Sequence, residues 1–180
     1  MSYTQVKNIL EAYHGLTEKS VENASEASAE NAEKEKLCVQ QEALLKEYEA
    51  LLQSGPQQEE LLEQVKEILK EKGYGGLDVD FEYIRPELGA AYAAFVVMLR
   101  RELNSLGYSV LAALAPKTFA GQRGLLYEAH DYAALGQAAN GVLLMTYEWG
   151  YTAGPPMAVA PLNKVRQSVL FTRWWSNRSV

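Results

Sequence analysis

From Gly75 to Phe171, apolar runs of strand length alternate with segments of helical period, and this order is the strongest constraint on how the chain can fold. "GLDVDFEYI" reads as a strand, "RPELGAAYAAFVVMLRRELNSLGY" as a helix opened by Pro86 and closed by Gly107, and "SVLAALAPK" as a second strand. "HDYAALGQA" follows as a short helix, "GVLLMTYEW" as a third strand, and "PLNKVRQSVLF" as a helix beginning at Pro161. Such βαβαβα repetition implies a parallel sheet with helical crossovers, because a tight turn cannot join parallel neighbours.

Parallel strands buried on both faces are apolar at every position, and "SVLAALAP" and "GVLLM" are expected to be so. "LDVDFE" breaks that rule. A strand sends successive side chains to opposite faces, so Asp78, Asp80 and Glu82 share one face and Leu77, Val79, Phe81 and Tyr83 the other. Carboxylates spaced roughly 6.6 Å apart along a strand repel, so one of them holds a proton at neutral pH or a cation sits among them. Three readings follow: a solvated acidic face, a Mg²⁺ or Ca²⁺ site, or acid/base chemistry on a glycosidic bond. The cation site lacks the Asn, further Asp or glycine loop that would complete a shell of hard oxygen ligands. The third reading needs one carboxyl kept protonated beside ionised neighbours. Glu82, the longest of the three and nearest the C-terminal end of the strand, is placed for that task.

Charge divides the chain at Gly73. Residues 1–72 contain 15 Glu, 8 Lys, no Asp and no Arg, whereas every Arg, Asp, Phe and Trp lies beyond. In the first part "SVENASEASAENAEKEK" offers little to bury, so it reads as a solvated helix or a disordered stretch. Apolar residues then recur at helical spacing from Leu37 to Leu52, "SGP" at 54–56 ends that helix, and "QQEELLEQVKEILKEKGY" forms another with Leu61, Leu62, Val65, Ile68 and Leu69 on one face. The formal charge of -6, without a basic stripe, argues against nucleic acid as a partner. Cys38, the single cysteine, cannot close an internal disulfide, and two separated histidines offer no metal cluster, so no metal and no cofactor are expected. No basic-then-apolar leader opens the chain, and no apolar run nears the ~20 residues that span a bilayer, so no membrane association is expected either.

These residues resemble a known family. "GGLDVDFEYI" resembles the fourth-strand signature D-G-x-D-x-D-x-E of glycoside hydrolase family 18, the chitinase-like (β/α)₈ barrels: Gly76, Asp78, Asp80 and Glu82 match, and Gly75 replaces the first Asp. "LLMTYEWGY" resembles the sixth-strand M-x-Y-D motif, with Met145 and Tyr147 matching and Glu148 in place of Asp. The run "MTYEWGYTAGPPMAVAPLNKVR" resembles the spore-germination, cortex-lytic branch, whose members commonly carry peptidoglycan-binding modules ahead of the barrel.

The resemblance implies a substrate-assisted glycosidase on β-1,4-linked N-acetylglucosamine polysaccharide, peptidoglycan or chitin-like, in which the substrate's acetamido oxygen attacks the anomeric carbon. Glu82 would protonate the leaving oxygen and then activate water, Asp80 would bind the acetamido N–H, Asp78 would share a proton with Asp80, and Tyr147 would hydrogen-bond the acetamido oxygen. Met145, Glu148, Trp149 and Tyr83 become candidate substrate contacts, with Tyr151 a further stacking candidate and His130 a surface or capping residue. The similarity covers about three βα units, strands four to six of an incomplete TIM barrel, so a gene fragment or altered reading frame and impaired activity are expected. The corresponding domains are an acidic helical or disordered extension over 1–55, a partial catalytic domain over 56–170 and an irregular tail over 171–180. Exposed sheet edges would permit self-association. The alternative is a non-catalytic carbohydrate-binding or interaction remnant. The family points to the spore or cell envelope, while the chain itself leaves its location open.

Overall fold

The computed structural model describes residues 24–124, 126–150 and 155–176, without the side chains of 24–34, 37, 38, 41 and 174–176. Residues 1–23 of the expected extension, Tyr151 and the side chains of Cys38, Trp174 and Trp175 therefore lie outside the described residues. The chain divides into two compact units, Met1–Ala50 and Leu51–Val180. The division falls ahead of the break expected at residue 55, because Leu51 and Leu52 pack with the hydrophobic core of the second unit. Helix α1, Ala24–Gln53, accounts for the described part of the first unit, and its Val39 is exposed.

The second unit opens with α2, Gly55–Lys72. Ser54 adopts an extended conformation and its hydroxyl accepts from the Gln57 N–H at 3.5 Å, while Pro56 occupies the first turn, where a missing N–H costs nothing. Gly73 ends the helix in the left-handed region at φ 66°, and Tyr74 N–H then closes onto Leu69 O at 3.0 Å. Leu62 and Leu69 are buried, with Leu61 and Val65 packed beside them.

Three parallel strands follow in the order β1–β2–β3: β1 is Gly76–Val79, β2 Ser109–Leu114 and β3 Gly141–Leu144. A 3₁₀ turn at Pro86–Leu88 leads into α3, Gly89–Asn104, which crosses from β1 to β2. Helix α4, Tyr132–Ala138, crosses from β2 to β3, and α5, Leu162–Ser176, follows β3. The alternation of elements read from the sequence is therefore present. The strands are shorter than expected, since regular pairing of β1 ends at Val79 and that of β3 at Leu144.

The core forms on one side of the sheet. Tyr92, Phe95, Val96, Leu99 and Leu103, spaced along one face of α3, are each no more than 2% exposed and meet Val79, Val110, Ala112 and Leu114. Burial of each large apolar side chain contributes ~1.5–3 kcal/mol. The other face of β2 and β3 carries Leu111 and Leu143, 37% and 40% exposed, beside a buried Ala113, so that face is covered only in part and not throughout as expected. The irregular tail expected from residue 171 is likewise corrected, because α5 continues to Ser176 and Phe171 packs on the core with its ring 6.0 Å from that of Tyr132.

Close strand approach depends on Gly76, where a Cβ would fall onto the Ser109 carbonyl, a backbone atom that cannot swing aside. Gly76→Ala is expected to destabilise the chain by about 1–3 kcal/mol through forced separation of β1 and β2. Chemical denaturation of wild type and variant measures this difference, and equal midpoints would contradict the close approach.

Candidate active site

The candidate residues gather at the C-terminal end of the sheet, where β1 and β3 outrun their regular pairing. Asp78 sits in β1 opposite Leu111, on the open face, while its neighbours Leu77 and Val79 pack into the core. Asp80 and Glu82 lie beyond the last regular pair, so a continuous strand to Ile84 is not what aligns them. The inward side of this extension is held by Phe81, whose ring stacks on Tyr92 at 5.6 Å and contacts Phe95 at 5.8 Å. The Tyr92 hydroxyl also donates to Val79 O at 3.3 Å. Fixing Phe81 inward leaves its sequence neighbours on the side of Asp78.

The acids beyond Asp78 lie within the field of their neighbours. Partial burial raises Asp78 above the usual carboxylate range. Asp80 is raised first by burial and then by the charge of Asp78, and Glu82 first by burial and then by Asp80 and Glu148. The Tyr147 hydroxyl is raised by burial and then by Asp80, Glu148, Glu82 and Asp78 in turn. Tyr147 is thus within electrostatic reach of all four acids, although it lies across two strands from β1 and is 46% exposed. A proton added to this cluster is retained more readily than on an isolated acid. Among the described residues, no group of three or more His, Cys, Asp or Glu side chains is arranged to hold a metal ion.

The other candidates take different positions. Met145 is 8% exposed, and its N–H extends the β2–β3 ladder by one bond to Leu114 O at 3.0 Å, which sets it in the floor of the open face. Thr146 N–H turns back to Leu144 O at 2.8 Å and ends the ladder. Glu148 is exposed and adopts φ 55°, and Tyr83 is half-buried with φ 58°, so the residue after each of Tyr147 and Glu82 holds a left-handed backbone conformation uncommon outside glycine. Trp149 is half-buried, with Lys164 Nζ 5.5 Å from its ring centroid and its indole N–H buried without a hydrogen-bond partner among the described residues.

His130 corrects an expectation. It is not a surface or capping residue but 1% exposed, and Asp131 is the cap of α4, its Oδ1 accepting from Ala133 and Ala134 N–H at 2.9 and 3.1 Å. His130 Nδ1 accepts from Ala115 N–H at 3.0 Å, which leaves the proton on Nε2 to be donated to Phe81 O at 2.9 Å. Burial lowers its proton affinity, in keeping with a neutral ring. Lys117 Nζ donates to His130 O at 2.5 Å and lies 5.3 Å from the Tyr132 ring centroid, while the Tyr132 hydroxyl donates to Ala115 O and accepts from Lys117 N–H at 2.7 Å. Burial pushes the Tyr132 hydroxyl up to about 12. The sequence signal for this network is slight: an uncommon residue next to a helix-capping Asp, in a segment that otherwise reads as a loop.

No family model matches the chain. It is 45% identical over 109 residues to the cortical fragment-lytic enzyme of Bacillus subtilis, covering 61% of this chain and 25% of that protein. Over 102 residues it is 40% identical to the enzyme of the same name from Bacillus anthracis, covering 56% and 24%. Its homologues include spore cortex-lytic enzymes and the sporulation-specific glycosylase YdhD of Bacillus subtilis. The crystal structure of spore cortex-lytic enzyme SleL from Bacillus cereus superposes with a TM-score of 0.67 at 32% identity, covering 73% of this chain and 30% of that one. A chitinase from Chromobacterium violaceum shares the fold alone, with a TM-score of 0.60 at 20% identity over 68% of this chain and 38% of that one. The chain spans about a quarter of the length of the curated cortical fragment-lytic relatives it matches.

The raised carboxyls tie stability to pH. Asp80 and Glu82 bind protons more tightly in the folded chain, so their contribution is fully present below the ordinary carboxylate range and is lost as pH rises through their folded values. Asp80→Asn is therefore expected to stabilise the chain at pH 7, by a few tenths to about 1 kcal/mol given solvent screening, and to confer little at pH 3. Urea titrations at the two pH values test this, and an equal effect at both would remove the proposed charge crowding.

Proposed function

We propose that the chain carries the reacting acids of a glycosidase that cleaves β-1,4-linked N-acetylglucosamine polysaccharide, cortex peptidoglycan or a chitin-like chain. In this reading it forms three consecutive βα units of a chitinase-like barrel of glycoside hydrolase family 18, preceded by an acidic helical extension. The observation that carries the reading is the convergence of Asp78, Asp80, Glu82, Glu148 and the Tyr147 hydroxyl at the C-terminal end of a parallel sheet. Homology to cortex-lytic enzymes supports the same chemistry.

The residues divide the work by their surroundings. Glu82, raised by burial and flanking charge, keeps the proton that a departing glycosidic oxygen requires. As that oxygen takes the proton and the C1–O bond breaks, the substrate's own acetamido oxygen bonds to C1 and gives a positively charged oxazolinium ring. Asp80 accepts from the acetamido N–H and balances the charge, and Asp78 supports it by sharing a proton. Tyr147 donates its hydroxyl proton to the acetamido oxygen and holds it on line. Glu82, now ionised, removes a proton from water, whose oxygen adds to C1 and opens the ring with retained configuration. The acidic cluster suits this task because it stabilises positive charge. Trp149 and Tyr83 flank the reacting side chains and offer aromatic surface to the sugar, while Met145 and Glu148 shape the floor and the acetamido end.

Release of reducing ends from spore cortex fragments and from N-acetylglucosamine oligomers tests the assignment. Glu82→Gln is expected to lower kcat by about 10²–10⁴-fold while oligomers still bind, as for loss of a general acid. Tyr147→Phe is expected to lower it by about tenfold or more through loss of one hydrogen bond in the transition state. A folded chain that binds oligomers without cleaving them would instead identify a carbohydrate-binding remnant.

A further inference from the structure

Ladder geometry at the end of β1 points to a role for His130. Ser109 N–H donates directly to Gly75 O at 3.1 Å, and the register that follows pairs Val79 with Ala112. Carried six residues along both strands, the equivalent bond would join Ala115 N–H to Phe81 O. Those are the two groups that the His130 ring takes instead, accepting from Ala115 N–H on Nδ1 and donating to Phe81 O from Nε2. The imidazole is thus inserted into one rung of a parallel ladder. It replaces a single direct contact of about 3 Å with two hydrogen bonds and the width of a ring, and leaves both backbone groups satisfied.

We infer that His130 is a positioning residue that wedges the ends of β1 and β2 apart and thereby sets the directions of Asp80 and Glu82, the residues on either side of the carbonyl it holds. The inference rests on the reading of those two carboxyls as the reacting pair. Phe81 connects the wedge to the site. Its carbonyl is fixed by His130 and its ring by Tyr92 and Phe95, so the peptide planes on either side of it have little freedom, and the flanking carboxyls inherit that order. The wedge is itself braced from outside the sheet, with Lys117 Nζ on the His130 carbonyl and the Tyr92 ring 6.1 Å from the imidazole. If the ring is removed, the ladder is free to close by direct pairing of Ala115 with Phe81, which rotates the Phe81–Glu82 peptide and redirects both acids. A filler of the core would not do this, since the effect depends on one acceptor and one donor in the ring.

Nitrogen NMR of the wild-type chain at neutral pH should show His130 neutral with its proton on Nε2. A proton on Nδ1, or on both nitrogens, would overturn the inference without any variant being made. His130→Ala should shift the titration midpoints of the Asp80 and Glu82 carboxyls, followed by carbon NMR, and His130→Gln, whose amide can accept and donate at similar spacing, should return them toward wild type. Where cortex fragments are cleaved, His130→Ala should lower kcat by about tenfold with KM changed less than about threefold, and His130→Gln should recover most of the loss. Unchanged carboxyl midpoints in a folded His130→Ala chain, or no difference between the Ala and Gln variants, would sink the wedge. If His130→Ala does not fold, the tautomer of the wild type and the midpoints of His130→Gln decide the matter. Absence of cleavage by the wild type would remove the proposed activity, while the NMR measurements would still judge the wedge.

Discussion

Packing of α3 against one face of a three-stranded parallel sheet is the constraint on which the rest of the second unit depends. Tyr92, Phe95, Val96, Leu99 and Leu103 fill the space beneath Val79, Val110, Ala112 and Leu114, and the period of two along each strand then assigns every other residue to the opposite face. Asp78 stands outward because Leu77 and Val79 stand inward. A slip of one residue in β1 would drive Asp78 into the apolar core and lift Val79 out of it. The hydrophobic seam therefore orients the acids although it touches none of them.

At the C-terminal end of the sheet the design changes from backbone pairing to side-chain anchoring. Beyond Val79 the ladder no longer holds β1, and the carbonyls of Val79 and Phe81 are taken by the Tyr92 hydroxyl and the His130 ring. Both anchors are fully buried, so their hydrogen bonds form where unpaired carbonyls would be costly and where competition from water is weak. A rigid end without a closed ladder suits the proposed reaction, in which the acids must be fixed and also accessible. The acids' own repulsion is tolerated because partial burial already favours their protonated forms.

The strands, crossover helices and caps were legible because each has a local cause. Pro86 and Pro161 open helical segments, Gly73 and Gly107 take positive φ at helix ends, and the period of α3 declares its buried face. Asp78, Asp80 and Glu82 stood out as candidates because acids at alternate places break the apolar pattern of a buried strand, and Tyr147 stood out only through the motif it shares with glycoside hydrolase family 18. The strand lengths were not legible. "GLDVDFEYI" has the alternation of a strand throughout, but its regular pairing stops at Val79, and further along a residue from the loop before α4 stands between Phe81 O and the Ala115 N–H. His130 was misread because its partners lie 15 and 49 positions away and no local pattern reports them. Leu111 and Leu143 were expected to be buried because apolar residues do not state which layer covers them.

By itself the sequence determined the order of elements, the parallel connection and the chemical character of one strand face, since periodicity, helix caps and carboxyl spacing are properties of neighbours along the chain. Tertiary structure alone decided which face is covered, where each ladder ends and how Tyr147 comes within reach of acids carried on a strand two places across the sheet. It also decided that the His130 ring stands between Phe81 O and the Ala115 N–H. These outcomes depend on contacts between distant residues, whose energies arise only when the core brings them together.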